Sequence, residues 1–376
     1  MIYNIFCFII WLISLPFLVI LAFKKKYRKS IPARFFLFKN PPFKPCDVHF
    51  HACSLGEVNS IINLASKFDK IALTTTTQTG FNKAVSSYKE SRFLPFELFL
   101  PLWLKKSKVL VVFEAELWLN LVRYAKKNGS YVILLNARIS DKSYKRYKKF
   151  SFYYKKIFNN IDLVLAQSEL DEERLKELGA RCTKVVGNVK SANFTKPSKN
   201  YAKFSQKLIV IASTHEGEEE KILSNLEFKD DFKIILAPRH PERFNQVDEI
   251  CKEYTSKFNI SYEKFSSNLG LKSDFILLDT LGELVNFYKI ADVVVLGGSF
   301  IKGVGGHNPI EIAQFNTPLI NGEFIDNQKA LFCLVEGVNF SNLSNLNELL
   351  NMHLNPTNIV QMCDIKAIEN IIKEKI

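Results

Sequence analysis

Glu57 closes the segment His51-Ala-Cys-Ser-Leu-Gly-Glu57, which follows the apolar run Asp47 to Ala52 and leads into a helix-like stretch from Val58 to Lys67. A carboxylate at the carboxyl end of a strand can serve as a general base, an effect of about 10² to 10⁴ in rate. In a first helical turn it can equally do no more than stabilise the helix, by about 0.3 to 1 kcal/mol. Glu114 and Glu116 occupy a similar place after the run Val109 to Phe113, and two carboxylates two residues apart cannot both face one side of an extended segment. Lys190, in Val186-Gly-Asn-Val-Lys190, reads as the end of a last strand, where an ammonium can hold a phosphate or a carboxylate or simply be solvated. Pro238 and Arg239 also follow an apolar run, and an arginine fork there suits bidentate phosphate binding.

The densest signal is Gly297-Gly-Ser-Phe-Ile-Lys-Gly-Val-Gly-Gly-His-Asn-Pro-Ile-Glu311. Five of the chain's 15 glycines fall within its first ten residues. Glycine allows close backbone approach, Asn308 is a good N-cap, Pro309 suits the first helical position, and the loop would bring a ligand to a helix N-terminus. A phosphate, or a ribose held by Glu311, fits that end. Leu281, Gly282 and Glu283 open another helix and offer backbone N–H groups. No two aspartates stand in D-x-D spacing and no histidines form an H-E-x-x-H pattern, so neither a metal nor a cofactor is expected.

The elements that must position these groups are legible as a rhythm. Short β-branched runs at 47–52, 70–76, 109–113, 131–136 and 162–166 alternate with amphipathic stretches. The pattern restarts at 208–213, 233–237, 275–278, 292–296 and 318–320. Strand then helix, repeated, means parallel α/β sheets. The polar segment 193–203, with Pro197, reads as a linker between two doubly wound domains facing across a cleft, whose ligands lie at the carboxyl ends of the strands. The expected division is a membrane anchor at 1–23, an N-terminal domain at 24–200 and a C-terminal domain at 201–376.

The chain has 376 residues and a formal net charge of +13. Residues 1–200 hold 34 Lys and Arg against 14 Asp and Glu, and the remainder 17 against 24, so the two halves meet different partners. The seven scattered cysteines lack any C-x-x-C and suggest a reducing compartment. Residues up to Phe23 are almost wholly apolar, and about 20 such residues suffice to cross a bilayer. Lys24, Lys25, Lys26, Arg28 and Lys29 follow the run, which favours an uncleaved anchor with the rest of the chain cytoplasmic, although Pro16 leaves partial insertion open. The basic aromatic run Tyr144 to Phe158 suits anionic lipid or single-stranded nucleic acid. With an anchor nearby, lipid is the better partner and nucleic acid is not expected.

In order, HACSLGE, TTTTQTG, LPFELFLP, EAELW, NARIS, ASTHEGEEE, APRHPERF, DTLGEL and GGSFIKGVGGHNPIE resemble the motifs of the 3-deoxy-D-manno-oct-2-ulosonic acid (Kdo) transferases, from the anchor to about residue 330. The resemblance implies a GT-B architecture, two Rossmann-like domains behind a membrane anchor helix, on the cytoplasmic face of the inner membrane. It also implies inverting transfer of Kdo from CMP-Kdo to the lipid A precursor, lipid IVA. Carried onto this chain, it makes Glu57 the general base, with Glu114 and Lys190 stabilising the transition state. It assigns CMP to Pro238, Arg239, Leu281, Gly282, Glu283, Asn308, Pro309, Ile310 and Glu311. The N-terminal domain would bind the acceptor and the C-terminal domain the donor. Leu119 stands where the family's ELWP element has proline, which loosens the placement of Glu114 and Glu116. The alternatives are another GT-B nucleotide-sugar enzyme, such as a lipid glycosyltransferase or an epimerase, and a membrane-tethered nucleic-acid-binding protein.

Overall fold

The computed structural model describes residues 2–114, 117–192, 194–360 and 362–376. They form two compact units: Met1–Asn193 with Met362–Ile376, and Phe194–Gln361.

Unit 1 opens with α1 (Ile2–Phe23) and α2 (Ser30–Phe36). Its seven strands are β1 (Cys46–His51), β2 (Ile71–Thr75), β3 (Ser91–Phe93), β4 (Ser107–Phe113), β5 (Tyr131–Ala137), β6 (Leu163–Ala166) and β7 (Thr183–Val185). They lie in the order β3-β2-β1-β4-β5-β6-β7, with every pairing parallel. Helices on both faces leave the central strands without a wet side, which is why Val109 to Phe113 and Val132 to Leu135 are continuous apolar runs rather than alternating ones. The two faces carry separate apolar cores.

Unit 2 repeats the plan with β8 (Lys207–Thr214), β9 (Phe232–Pro238), β10 (Tyr262–Lys264), β11 (Phe275–Leu277), β12 (Val293–Leu296), β13 (Leu319–Asn321), β14 (Val335–Glu336), β15 (Val338–Phe340) and β16 (Asn358–Ile359). The main sheet runs β10-β11-β9-β8-β12-β13-β15, all parallel, and β14 pairs with β16 antiparallel. The ten runs read from the sequence all lie on strands. Edge strands β3, β7, β10 and β15, each of three residues, are too short to carry a readable period.

Each sheet has one point where the strand order reverses, between β1 and β4 in unit 1 and between β8 and β12 in unit 2. There the loops leaving two neighbouring strands turn to opposite faces and open a crevice. Glu57 and Glu114 follow the first pair of strands, and His215 and Gly297 the second.

The end of the chain departs from the expected division. The C-terminal helix Ile365–Lys373 returns to unit 1, where Ile368 and Ile372 are fully buried in one of its cores. The amide of Cys363 donates to Ser191 Oγ at 3.0 Å, and a Cβ on Gly187 would stand 3.2 Å from Cys363 Cα. The isoleucines at 365, 368 and 372 form the helical stripe that needs a sheet face to cover it.

Candidate active site

In unit 1, α3 (Leu55–Ala65) begins directly after β1. Ser54 is its N-cap, accepting the Glu57 amide at 3.4 Å, while Glu57 Oε2 accepts the Cys53 amide at 2.8 Å and Oε1 the Ser54 hydroxyl at 3.0 Å. This is close to a capping box, with the glutamate reaching back to the amide one residue before the cap. The carboxylate is half-buried, fixed by its own loop, and at the reversal point of the sheet.

Glu114 follows β4 with φ of 57°, a left-handed conformation costly for a non-glycine residue. Its Oε1 accepts Lys190 Nζ at 2.9 Å and Asn136 Nδ2 at 3.2 Å. Lys190 lies in the 3₁₀ turn Val189–Ala192 beyond β7, not at the end of a strand as its sequence suggests. Asn136 is the residue that sequence reasoning left without a role. It sits at a bulge in β5, with φ of 59°, and its Oδ1 accepts the Val189 amide at 2.9 Å. One side chain therefore braces both Glu114 and the turn carrying Lys190, and the only cue was an asparagine at a strand's end. Glu114 also lines a cavity of about 290 Å³ with Arg138, Ser140, Ser143 and Tyr147. Glu116 lies outside the described residues.

Unit 2 presents a different kind of site. Gly297 follows β12 against a bulge in β8, where Ser213 is left-handed at φ of 56°. A Cβ on Gly297 would meet Thr214 Cα at 2.8 Å, so no other residue fits. Glu218, fully buried, accepts the amides of Gly298 at 2.6 Å, Phe300 at 2.9 Å and His215 at 2.9 Å. Its neighbour Glu219, equally buried, takes the Thr214 hydroxyl at 2.7 Å and both Arg243 nitrogens at 2.8 and 3.1 Å. The acidic run that reads in sequence as a helix start is thus the clamp that shapes the glycine loop.

Above it, His215 and His307 stack at 5.1 Å with their Nε2 atoms 2.9 Å apart, and His240 meets His215 edge-on at 5.0 Å. Burial, then the facing His215, pushes His307 down to about 4, and burial lowers His215 as well. The pair is neutral at pH 7. Pro238 ends β9 and is buried, whereas Arg239 is exposed with its amide donating to Thr214 O at 3.0 Å. Burial raises Glu311, against the pull of the Asn308 hydrogen bond and the Arg239 charge. Asn308 Oδ1 accepts the Ile310 amide at 3.0 Å, but the helix proper is Ile310–Ala313, one position later than expected. Ile310 points into an apolar core and can offer a ligand only its backbone.

In the loop 281–283 the last side chain is already engaged within unit 2. Leu281 is exposed and Gly282 is left-handed, yet Glu283 already accepts Lys199 Nζ at 2.6 Å, Asn286 Nδ2 at 2.7 Å and the Tyr201 hydroxyl at 3.1 Å. Burial pushes its carboxyl up, and these three bonds outweigh it and leave it lowered. Among the described residues, no group of three or more His, Cys, Asp and Glu is arranged to hold a metal ion. In the basic aromatic run, Tyr144, Tyr147, Tyr153 and Tyr154 pack against a core of unit 1, leaving Phe150 and Phe152 exposed.

Residues 29–193 match the family model described as 3-deoxy-D-manno-octulosonic-acid transferase (kdotransferase). The chain is 30% identical over 358 residues to the 3-deoxy-D-manno-octulosonic acid transferase of Haemophilus influenzae, covering 86% of this chain and 83% of that one. It is 34% identical over 311 residues to a bifunctional glycosyltransferase/methyltransferase of Fusobacterium nucleatum, covering 74% of this chain and 48% of that one, so it spans about half the length of that relative. A crystal structure of UDP-N-acetylglucosamine 2-epimerase superposes with a TM-score of 0.53 at 15% identity, over 88% of this chain and 95% of that one, a likeness of fold alone.

Proposed function

The chain belongs to the Kdo transferases, a family of glycosyltransferase enzymes, and on that premise we propose that it moves Kdo from CMP-Kdo to lipid IVA with inversion, in lipopolysaccharide assembly at the cytoplasmic face of the inner membrane. In this reading unit 1 takes the acceptor and unit 2 the donor. The acceptor hydroxyl attacks the anomeric carbon of Kdo, the bond from that carbon to the phosphate oxygen breaks, and CMP departs. Glu57 takes the hydroxyl's proton as the new bond forms. Lys190, positioned by Glu114, offsets negative charge on the departing phosphate or the Kdo carboxylate. Pro238, Arg239, the 281–283 loop and residues Asn308 to Glu311 hold CMP, with Arg239 the phosphate ligand. No nucleic acid takes part.

One observation carries the reading. Glu57 and Glu114 follow the two strands at the reversal point of one sheet, and Glu114 is there paired at 2.9 Å with Lys190, which comes from the turn beyond β7. The loop assigned to the nucleotide leaves the reversal point of the other. The test is incubation of the full chain with CMP-Kdo and lipid IVA, followed by mass spectrometry. A product heavier by one or more Kdo residues is expected, and unmodified acceptor beside intact CMP-Kdo rejects the proposal.

A further inference from the structure

α1 has two faces along its whole length. Along one stripe at steps of three or four, Cys7 and Leu18 are buried and Tyr3, Trp11, Ser14 and Leu21 are half-buried, with Leu18 at 5% exposure. The other face, running through Ile2, Ile9, Ile13, Phe17 and Ile20, is wholly apolar and open, with Ile13 at 75%. The covered stripe is tied to unit 1 by directional bonds. The Tyr3 hydroxyl donates to Glu97, Asn120 Nδ2 donates to Asn4 Oδ1 at 3.0 Å, and Asn4 Nδ2 donates to the Tyr124 hydroxyl at 3.3 Å. Midway, Trp11 Nε1 donates to Phe35 O at 2.9 Å and the ring meets Phe99 edge-on at 5.8 Å. Glu97 is buried, pushed up to about 7 by that burial, and also accepts the Asn120 amide at 2.6 Å.

A helix of 22 residues is about 33 Å long, enough to cross the roughly 30 Å hydrocarbon layer. Crossing would carry Tyr3 and Asn4 to the side opposite Phe23. They are instead bonded to the same globular unit that the chain enters at Ser30, so both ends of the helix lie on one side. We infer that α1 is an in-plane anchor, lying along unit 1 with its open face sunk into one leaflet of an anionic membrane, rather than a transmembrane span.

Lipid is the occupant because of what surrounds that face. The exposed Lys24, Lys25, Lys26, Arg28 and Lys29 follow its last turn. Arg28, Lys29, Lys39 and Arg92, with Phe38 and Phe81, line a cavity of about 450 Å³ nearby in unit 1. An apolar face bordered by cations and by a basic aromatic cavity matches acyl chains beneath phosphate headgroups. The inference goes beyond the proposed reaction and does not depend on it.

The test uses the full chain bound to preformed phosphatidylcholine and phosphatidylglycerol vesicles, with a fluorescent amino acid placed singly at Ile2, Ile13 or Ile20 and lipids brominated at known depths. In-plane seating predicts that all three positions are quenched within about twofold of one another by shallow bromines. Quenching of Ile13 by bromines at the bilayer centre, with Ile2 and Ile20 answering only to shallow ones, overturns it. A second arm reads vesicle flotation of Ile13→Lys with Phe17→Lys, both exposed positions. At least a tenfold loss of bound protein with unchanged CMP binding is expected, and undiminished flotation overturns the proposal.

Discussion

The two units place carboxylates at the same point of the same kind of sheet and use them in opposite ways. In unit 1, Glu57 and Glu114 remain within reach of water, one fixed by its own helix start and the other by a lysine and an asparagine. In unit 2, Glu218 and Glu219 are fully buried and committed to backbone amides, a hydroxyl and an arginine. A carboxylate that exchanges protons with a substrate has to stay accessible. One that holds a glycine loop in shape works best away from water, where each hydrogen bond to it is stronger. Exposure, more than residue type, separates the carboxylates proposed for chemistry in unit 1 from those that shape the glycine loop in unit 2.

The comparison predicts a graded set of effects. Glu57→Gln should lower the transfer rate by about 10² to 10⁴ while CMP binds within about twofold of the native affinity, and turnover within tenfold of native would remove Glu57 as base. Lys190→Met should cost about 10² to 10³ in rate, with little change in thermal stability because the half-exposed pair contributes at most about 1 kcal/mol. A large fall in melting temperature would make the pair structural instead. Glu218→Ala leaves buried amides unpaired and should destabilise unit 2 by about 3 kcal/mol, read by urea unfolding, with loss of CMP affinity as the loop relaxes. Were Glu218→Ala as stable as the native chain, the contrast between the units would fail.

Smaller effects sharpen it. Arg239→Ala should weaken CMP inhibition by about 10- to 100-fold, as expected for a charge-assisted hydrogen bond of about 1.5 to 3 kcal/mol, without altering acceptor binding. The smallest is a pH dependence. His307 has a folded value of about 4, below its ordinary 6.5, so the unfolded chain takes up the proton first. Unit 2 should therefore lose stability as pH falls from about 6.5 toward 4, and His307→Asn should flatten that slope in thermal melts.

The sequence also misled where local pattern and packing part company. Glu57 reads identically as a cap or as a base, and its bonds to Cys53 and Ser54 are those of a helix start, so chemistry there rests on its position in the sheet. The run 215–220 looks like an ordinary acidic helix start until Glu218 is found beneath the glycine loop. Lys190 reads as a strand end because Val186 and Val189 precede it, yet Gly187, left-handed at φ of 82°, turns the chain into a 3₁₀ turn.

The sequence by itself determined the two parallel sheets, the apolar first helix, the charge imbalance and the motifs that resemble one family, because periodicity and composition act locally along the chain. The tertiary structure alone decided which loops share a reversal point, that Asn136 joins Glu114 to the turn of Lys190, that the last helix belongs to unit 1, and that both ends of α1 attach to one unit. Strand order and burial set these relations. They depend on contacts between residues far apart in sequence, which no short segment encodes.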